Sequence, residues 1–274
     1  MRKIPVYLLL IFGAMVFSIP FLWTVSTALK TKEQTFASPP VWIPEPIMWS
    51  NFKNAWNALP VSFSIFMSNT IFIAVVSTFG AVLTASVVAF GFARLRFRGR
   101  EPLFYLVLST MMLPSQVTMI PVFLIWRELR AIDTFYPLIL PAFFGGGAFN
   151  IFLLRQFYLS VPKEFDEAAM LDGAGPLRIW WSVVMPLAKP ALITVTLFTF
   201  IGHWDDFMGP LIYLNSPEKY PVSLGLRMFQ DQFGVDLNLM MAAALLHILP
   251  MIVLFFFAQR YFVKGINLSG LGGR

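Results

Sequence analysis

The sequence contains no cysteine and is poor in charge. Without cysteine, the chain can form neither a disulfide nor a thiolate metal site, and it has no cysteine nucleophile. Charged residues make up 12% of the 274 residues, about half of the share that is usual in soluble domains. Hydrophobic residues make up 58%, and they include 30 phenylalanines and 8 tryptophans, more than a core of this size could bury. The composition excludes a soluble globular protein and favours one whose solvent is lipid.

Long runs without Asp, Glu, Lys or Arg identify the membrane spans, because a bilayer core of about 30 Å needs about 20 apolar residues at about 1.5 Å each. The first run is too long for the apolar region of a signal peptide, so we interpret it as a helix. The fifth span requires that Asp205 and Asp206 lie inside it. The sequence predicts an all-α integral membrane protein with six transmembrane helices, at about residues 4–29, 64–93, 102–126, 134–158, 188–214 and 238–262.

The distribution of Lys and Arg predicts the orientation of these spans. If the N-terminus is cytoplasmic, 13 of the 20 basic residues lie in inner segments and 7 in outer ones, as the positive-inside rule expects. The densest inner group is Arg94, Arg96, Arg98 and Arg100. An even number of spans then places both termini in the cytoplasm. The net charge of +6 therefore reflects membrane topology, and we expect no nucleic acid partner.

A structured cytoplasmic loop is predicted between the fourth and fifth spans, at residues 160–189. Pro162 stands where a helix can begin without needing its N–H group, and acidic residues follow in the first turns, where the helix dipole favours negative charge. Gly173 provides a stop, and Pro176 can open a second helix. The pattern predicts a helix, a glycine turn and a second helix.

The first helix of this loop has a face with small side chains. Phe165, Ala168, Ala169 and Asp172 fall on one side by their three- and four-residue spacing, and the two alanines there allow another surface to approach closely. We interpret this helix as a docking element. The alternative is an amphipathic helix lying among lipid headgroups, but its polar face would carry Lys and Arg, where this helix carries acids.

The residues of the loop resemble a known motif. The stretch from Glu167 to Ala174, EAAMLDGA, followed by Val183-Val184-Met185-Pro186, resembles the EAA loop of permease subunits in binding-protein-dependent ABC importers. That motif is EAA, three residues, Gly, nine residues, an aliphatic residue, one residue and Leu-Pro. The spacing here matches, with Val183 and Met185 in place of the usual isoleucine and leucine. The resemblance covers the whole chain and is greatest for the maltose-type carbohydrate-uptake permeases, through residues 172–174, the proline-rich first outer segment and residues 204–210.

The resemblance implies a fold, a location and a set of partners. It implies one permease domain, residues 1–274, of the type I ABC importer kind, in a prokaryotic inner membrane. The expected partners are a second homologous permease, two ABC ATPase subunits, an extracytoplasmic solute-binding protein and membrane lipid. The loop would form the coupling helix that sits in a groove of an ATPase subunit. The residues expected at that contact are Glu167, Ala168, Ala169, Asp172 and Gly173.

The chain itself is not expected to be an enzyme. It has no GxxxxGKS/T motif, so ATP and Mg are expected on the partner ATPase subunits and no cofactor on this chain. His203 and His247 show no metal-binding spacing, so no metal site is expected either.

Polar residues inside the spans are candidates for the translocation path. An ionisable residue in the bilayer costs about 2.5 to 3.5 kcal/mol on insertion scales and normally faces a cavity or a partner. Carboxylate and amide acceptors beside aromatic faces suit a sugar, although Asp205 and Asp206 could also cap the outer helix end, and the amides could serve only as hydrogen bonds between helices. The candidate residues are Asn69, Gln116, Asn150, Trp204, Asp205, Asp206 and Phe207.

Other functions are less consistent with the sequence. A non-sugar solute such as glycerol phosphate or a polyol is the nearest alternative. A membrane-embedded enzyme would use Asp205 and Asp206 as paired acids, but adjacent helical residues point about 100° apart, which does not suit two carboxylates converging on one substrate. A stand-alone channel would leave the EAA loop without a purpose.

Overall fold

The computed structural model describes residues 3–231 and 234–269, and its regular structure is predominantly helical. The α-helices are α1 (Lys3–Ala28), α2 (Lys32–Thr35), α3 (Ser50–Asn57), α4 (Phe63–Arg94), α5 (Arg100–Ser109), α6 (Ser115–Glu128), α7 (Tyr136–Ile139), α8 (Ala148–Ser160), α9 (Glu164–Leu171), α10 (Pro176–Ile179), α11 (Met185–Leu187), α12 (Lys189–Trp204), α13 (Met208–Tyr213), α14 (Val222–Gly225) and α15 (Leu237–Ser269). Short 3-10 segments lie at Thr110–Met112, Leu140–Phe143, Pro217–Lys219 and Leu226–Phe229, and a π-helical segment at Trp180–Val184. Strands β1 (Gln230–Asp231) and β2 (Gly234–Val235) pair antiparallel, with Gln230 opposite Val235.

Among the described residues, the helical stretches that are long and apolar enough to span a membrane number four, or six if each of two bent pairs counts as one span. Four are single stretches, and two are pairs of helices joined by a sharp bend. The predicted cytoplasmic location of the termini concerns residues 1–2 and 270–274, which lie outside the described residues. The single stretches are Ile4–Ala28, Phe63–Arg94, Tyr136–Ser160 and Leu237–Phe257.

A sharp bend divides the stretch predicted as the third span, residues 102–126. Two helical stretches, Arg100–Met112 and Ser115–Glu128, meet at an angle of 98°. Leu113 between them is extended, with φ −81° and ψ 119°. The cause is Pro114, since the ring of a proline disfavours helical geometry at the preceding residue.

A break also divides the stretch predicted as the fifth span, residues 188–214. Helix α12 ends at Trp204, and the chain becomes helical again only at Met208 in α13. At its other end, α12 lies at 84° to the preceding stretch Pro176–Leu187. Asp205 and Asp206 therefore stand at a break between two helices, where polar side chains can reach backbone groups that have no helical partner.

Glycines interrupt the fourth span, which we expected to be one helix over residues 134–158. Gly145, Gly146 and Gly147 all have positive φ and separate α7 and its 3-10 extension from α8. Gly146 is buried against α4, where an added Cβ would lie 2.0 Å from the carbonyl oxygen of Ala81. Gly146 thus serves close packing of backbone on backbone, whereas a Cβ added at Gly145 or Gly147 would meet nothing within 4 Å.

The chain divides into two compact units, and each has its own core. The first unit comprises Met1–Ser68 and Tyr220–Ile252, and the second unit comprises Asn69–Lys219 and Val253–Arg274. In the first unit, Phe63 and Phe66 are buried, and the side chain of Asn51 donates hydrogen bonds to the carbonyl oxygens of Ala28 and Lys30, at 2.9 and 2.8 Å. These bonds fix the segment that follows α1.

The core of the second unit contains a buried polar link between three elements. The Ser86 hydroxyl of α4 lies 2.7 Å from the Tyr158 hydroxyl of α8, and the Trp180 indole N–H donates to Ser86 at 2.9 Å. All three side chains are buried. Because the π-helical segment begins at Trp180, this link ties the second half of the predicted cytoplasmic loop to the core.

At the opposite end of the second unit, Asp133 ties two loops together. Its carboxylate accepts the backbone N–H groups of Asn215 and Ser216, each at 2.9 Å, and the ammonium of Lys219 at 2.8 Å. Lys219 and then Ser216 contribute most to holding the pKa of Asp133 well below its usual range. The resulting stability is present above the pKa of about 4 of an unfolded aspartate and is lost only as the pH falls toward the lower folded pKa, so the link is insensitive to pH near neutrality.

Replacing Gly146 with alanine should destabilise the protein more than replacing Gly147. Both residues have positive φ, so both variants carry about 1 to 2 kcal/mol of backbone strain. Only at Gly146 would the new methyl group collide with another backbone, whereas nothing lies within 4 Å at Gly147. We expect a further loss of about 1 to 3 kcal/mol from this overpacking, measured as unfolding of the purified protein in detergent. Equal stability of the two variants would contradict the close approach of Gly146 to α4.

Candidate functional site: the cytoplasmic loop and a polar cavity

The loop at residues 160–189 forms the predicted helix, glycine turn and helix. Helix α9 begins at Glu164, two residues after Pro162, and Gly173 follows with φ +79°. Pro176 opens α10, and the helical path continues through the π-helical segment and α11 to Leu187.

Gly173 ends α9 through a pair of hydrogen bonds. Its own N–H donates to the carbonyl of Met170 at 3.0 Å, and the N–H of Ala174 donates to the carbonyl of Ala169 at 2.9 Å. This pair is the Schellman motif, which requires a left-handed residue at the position of Gly173. Gly173 therefore stands four residues after Ala169, at the position where this motif needs its left-handed residue to end the helix.

The side chains of α9 divide between an outer and an inner face. Phe165, Ala168 and Asp172 are exposed together, as their spacing predicts, and Leu171 beside them is 91% exposed. Ala169 departs from the predicted face, since it is half-buried and packs against the core of the second unit. The reason is that Ala169 lies in the last turn of α9, which the hydrogen bond from Ala174 to its carbonyl closes against the core. The outer face therefore presents one small side chain flanked by large apolar ones.

A buried ion pair, which the sequence did not indicate, holds α9 to the end of α4. The Arg94 Nε lies 2.9 Å from Asp166 Oδ2, and the two side chains are only 4% and 9% exposed. Arg94 also donates through Nη2 to the carbonyl of Val161 at 2.8 Å. Burial raises the pKa of Asp166, and the positive charge of Arg94 acts in the opposite direction.

Sequence reasoning attributed Asp166 only to the helix dipole. A signal was present, because Asp166 lies three residues before Ala169 and so on the inner face of α9. Its partner, however, is far away in the sequence. No local pattern identifies which of the four arginines between Arg94 and Arg100 makes the contact.

A cavity of about 490 Å³ lies in the second unit, between α4, α8, α12 and the break that follows α12. Asn150 and Asp206, two of the predicted translocation-path residues, line it together with His203. Two phenylalanine rings, Phe149 and Phe198, stand edge to face at 6.4 Å on its wall. The cavity thus combines aromatic faces with amide, imidazole and carboxylate groups, which is the chemistry that binds hydroxyl-rich molecules.

Local hydrogen bonds fix the orientation of the polar groups in this cavity. The Asn150 amide donates to the carbonyl of Gly146 at 2.8 Å and to the Thr199 hydroxyl at 3.0 Å, which joins α8 to α12. The Asp206 Oδ1 accepts the N–H of Gly209 at 3.1 Å. Gly209 leaves room for this carboxylate, because a Cβ there would lie 2.5 Å from Asp206 Oδ2.

The other predicted path residues lie elsewhere. Trp204 is 2% exposed and packs on Phe200 with ring centroids 5.4 Å apart. Asn69 donates to the carbonyl of Glu218 at 2.9 Å. Gln116 is exposed on α6, Asp205 is exposed at the end of α12, and Phe207 precedes α13. The structure therefore brings Asn150 and Asp206 to one cavity, and it places the other five around it or apart from it.

The pair of acids does not have the geometry of a catalytic site. Asp206 lines the cavity and Asp205 does not, so the two carboxylates do not converge on one space. Within residues 3–231 and 234–269, no group of three or more His, Asp or Glu side chains could hold a metal ion.

Comparison with known proteins places the chain in a family. The family described as "Binding-protein-dependent transport system inner membrane component" matches residues 81–268, more than half of the chain. The chain is 30% identical over 266 residues to the sn-glycerol-3-phosphate transport system permease protein UgpE of Yersinia pestis, covering 95% of this chain and 94% of that one. It is 27% identical over 283 residues to the polygalacturonan/rhamnogalacturonan transport system permease protein YtcP of Bacillus subtilis, covering 98% and 97%.

A solved structure agrees with these relatives. One chain in the crystal structure of a bacterial ABC transporter involved in the import of the acidic polysaccharide alginate superposes with a TM-score of 0.83. It is 28% identical to this chain, and the match covers 95% of this chain and 96% of that one. The chain therefore belongs to the family of permease components of binding-protein-dependent ABC transport systems, and it is a multi-pass inner-membrane transport subunit without a catalytic role.

Proposed function

We propose that this chain is one of two homologous permeases in an ABC importer for a sugar or sugar-like solute. In this proposal residues 1–274 act as one permease domain, embedded in membrane lipid. An extracytoplasmic binding protein delivers the solute, and two ABC ATPase subunits bind and hydrolyse ATP with Mg. The observation that carries the proposal is a loop helix with an exposed apolar face and a buried charged anchor.

The exposed face of α9 supports docking on an ATPase subunit. Phe165 and Leu171 are exposed on this helix, and Leu177 and Trp181 are exposed on the helical path that follows. Exposed apolar side chains grouped on a polar loop are typical of a protein interface. Ala168 lies among them and lets a partner backbone approach closely. Glu167, Asp172 and Gly173 are exposed at its edge.

The anchor of α9 supports transmission of movement into the membrane. A force on the outer face of α9 reaches α4 through Asp166 and Arg94, and it reaches α4 and α8 through Trp180, Ser86 and Tyr158. Buried charges and buried hydrogen bonds tolerate little displacement, because an unpaired buried charge is costly. The loop and these helices would therefore move together as a rigid body when the ATPase subunits close.

The solute is inferred from the relatives and from the cavity. The named relatives carry sn-glycerol-3-phosphate, polygalacturonan or rhamnogalacturonan, and the alginate transporter imports an acidic polysaccharide, all of them hydroxyl-rich solutes. The carboxylate of Asp206 disfavours an anion in the cavity. The relatives favour a hydroxyl-rich solute, although theirs are phosphorylated or acidic, and the Asp206 carboxylate favours a neutral sugar, with a polyol or glycerol phosphate as the alternative.

Cysteines placed at Ala168 and Ala169 test the docking face. The chain has no native cysteine, so each variant carries a single thiol. We expect Ala168→Cys to cross-link to a cysteine in the groove of the ATPase subunit in the assembled transporter. Ala169→Cys is the matched control and should cross-link several-fold less, since Ala169 packs against the core. Equal cross-linking at both positions, or none at either, would contradict docking through this face.

Separating the ion pair tests transmission. Arg94→Met or Asp166→Leu alone leaves a buried charge without its partner and should cost about 3 to 5 kcal/mol of stability, whereas the double variant should recover most of it. The double variant should assemble and hydrolyse ATP, but its uptake per ATP should fall, because the direct link between α9 and α4 is gone. The measurements are unfolding in detergent and coupled uptake in proteoliposomes. Coupling equal to that of the unmodified protein would contradict a mechanical role of the pair.

Replacing Asp206 with asparagine tests the charge of the solute. Asparagine keeps the acceptor for the N–H of Gly209 and removes the negative charge from the cavity. Removing a repulsion of about 1 kcal/mol should raise uptake of an acidic oligosaccharide relative to a neutral one by about fivefold. The ratio is compared between variants with the same binding protein, whose own selectivity then cancels. Asp205→Asn is the control and should leave the ratio unchanged, and a ratio that is also unchanged in Asp206→Asn would remove Asp206 from the solute path.

A further inference from the structure

A second cavity of about 510 Å³ lies beside the cytoplasmic loop and is lined by basic side chains. Arg96 and Arg100 reach it from the connection between α4 and α5, and Lys163 reaches it from the residue before α9. Glu101 and Phe97 also line this cavity. The cavity therefore joins the connection of the second and third spans to the start of the coupling helix.

Two of these cations lack a direct counter-charge. The guanidinium of Arg100 is already paired. It lies 2.9 Å from the Glu101 carboxylate and donates to the carbonyl of Leu95 at 3.3 Å. Arg155 approaches the same carboxylate at 3.4 Å. Within residues 3–231 and 234–269, the side chains of Arg96 and Lys163 form neither a salt bridge nor a hydrogen bond. Lys163 attracts Asp166 only weakly, and that carboxylate is engaged by Arg94.

The surroundings of this cavity are those of a membrane surface. Arg94 ends the 32-residue helix α4, and α5 starts the next apolar stretch at Arg100. Between them, Leu95 and Phe97 are 39% and 44% exposed. Exposed apolar side chains next to basic ones are typical of protein segments at the level of lipid headgroups.

We propose that this cavity binds the phosphate group of an anionic ligand. Arg96 and Lys163 would each place a positive charge against the phosphate oxygens, and Arg100 would remain fixed by Glu101. The headgroup of an anionic phospholipid and a soluble phosphate compound are the two sources of this chemistry. The bound phosphate would bridge the α4–α5 connection and the coupling loop, as a second tie beside the Arg94–Asp166 pair. Binding does not depend on the transport role proposed above.

The lipid source is tested with the assembled transporter in nanodiscs of phosphatidylcholine that contain a minor share of phosphatidylglycerol. After mild extraction, mass spectrometry measures how much phosphatidylglycerol stays bound. Losing a charge-assisted contact to a phosphate oxygen lowers affinity by about tenfold, so Arg96→Gln and Lys163→Gln should each release lipid about tenfold more readily, and the double variant about a hundredfold. The matched control is Arg98→Gln, a neighbouring exposed arginine that does not line the cavity and should retain the lipid.

The soluble source is tested in nanodiscs of phosphatidylcholine alone, with inorganic phosphate added. A rise in unfolding temperature that disappears in Arg96→Gln and in Lys163→Gln supports the phosphate site and identifies a soluble ligand. The proposal is overturned if neither ligand binds, or if binding is the same in the single variants and in Arg98→Gln. The proposal is also overturned if the variants lose both ligands only together with the ATPase subunit, because the cavity would then belong to the ATPase interface.

Discussion

The buried ion pair between Arg94 and Asp166 is the constraint on which the functional part of the structure depends. Removing two charges from water costs several kcal/mol per ion, and the pair repays this only when its geometry is held closely. Here the end of a long apolar helix supplies one charge and a short capped helix supplies the other, and Arg94 Nε and Nη1 and Asp166 Oδ1 have no hydrogen-bond partner among the described residues. The pair therefore ties α9 to the end of α4, although α9 lies in a loop.

Further hydrogen bonds in the second unit tie other loops and helices together. The closed end of α9 at Gly173 directs the chain into the helical path that carries Trp180, whose indole bonds to Ser86 in the core. At the other end, the pH-insensitive bonds of Asp133 tie the loop before α7 to the segment after α13. The polar cavity lined by Asn150 and Asp206 lies in the same unit, at the break after α12. An ATPase that moves α9 would therefore act on the walls of this cavity through links that cannot stretch.

The sequence predicted features that depend on local or periodic signals. Apolar runs predicted six spans, because lipid leaves little freedom in the length or polarity of a crossing helix. Gly173 and Pro176 predicted the form of the loop, because each residue restricts its own backbone. The bend at Pro114 was missed, since composition alone does not distinguish a bent apolar stretch from a straight one. Asn150 and Asp206 were predicted as path residues, but the sequence did not indicate that they share one cavity. The Arg94–Asp166 contact, the packing of Gly146 on α4 and the cavity beside the loop were missed because each depends on residues that are distant in the sequence.

The central claim is that α9 and α4 move as one body, and a distance measurement tests it directly. Spin labels on single cysteines introduced at Met170, which is exposed on α9 and is not among the docking residues, and at Val87, exposed on α4, would report their separation in the assembled transporter. We predict one narrow distance that is the same without nucleotide and with ATP bound. A distance that shifts with nucleotide, while the protein stays assembled, would contradict the account, because the coupling helix would then move independently of the membrane helix to which the ion pair ties it.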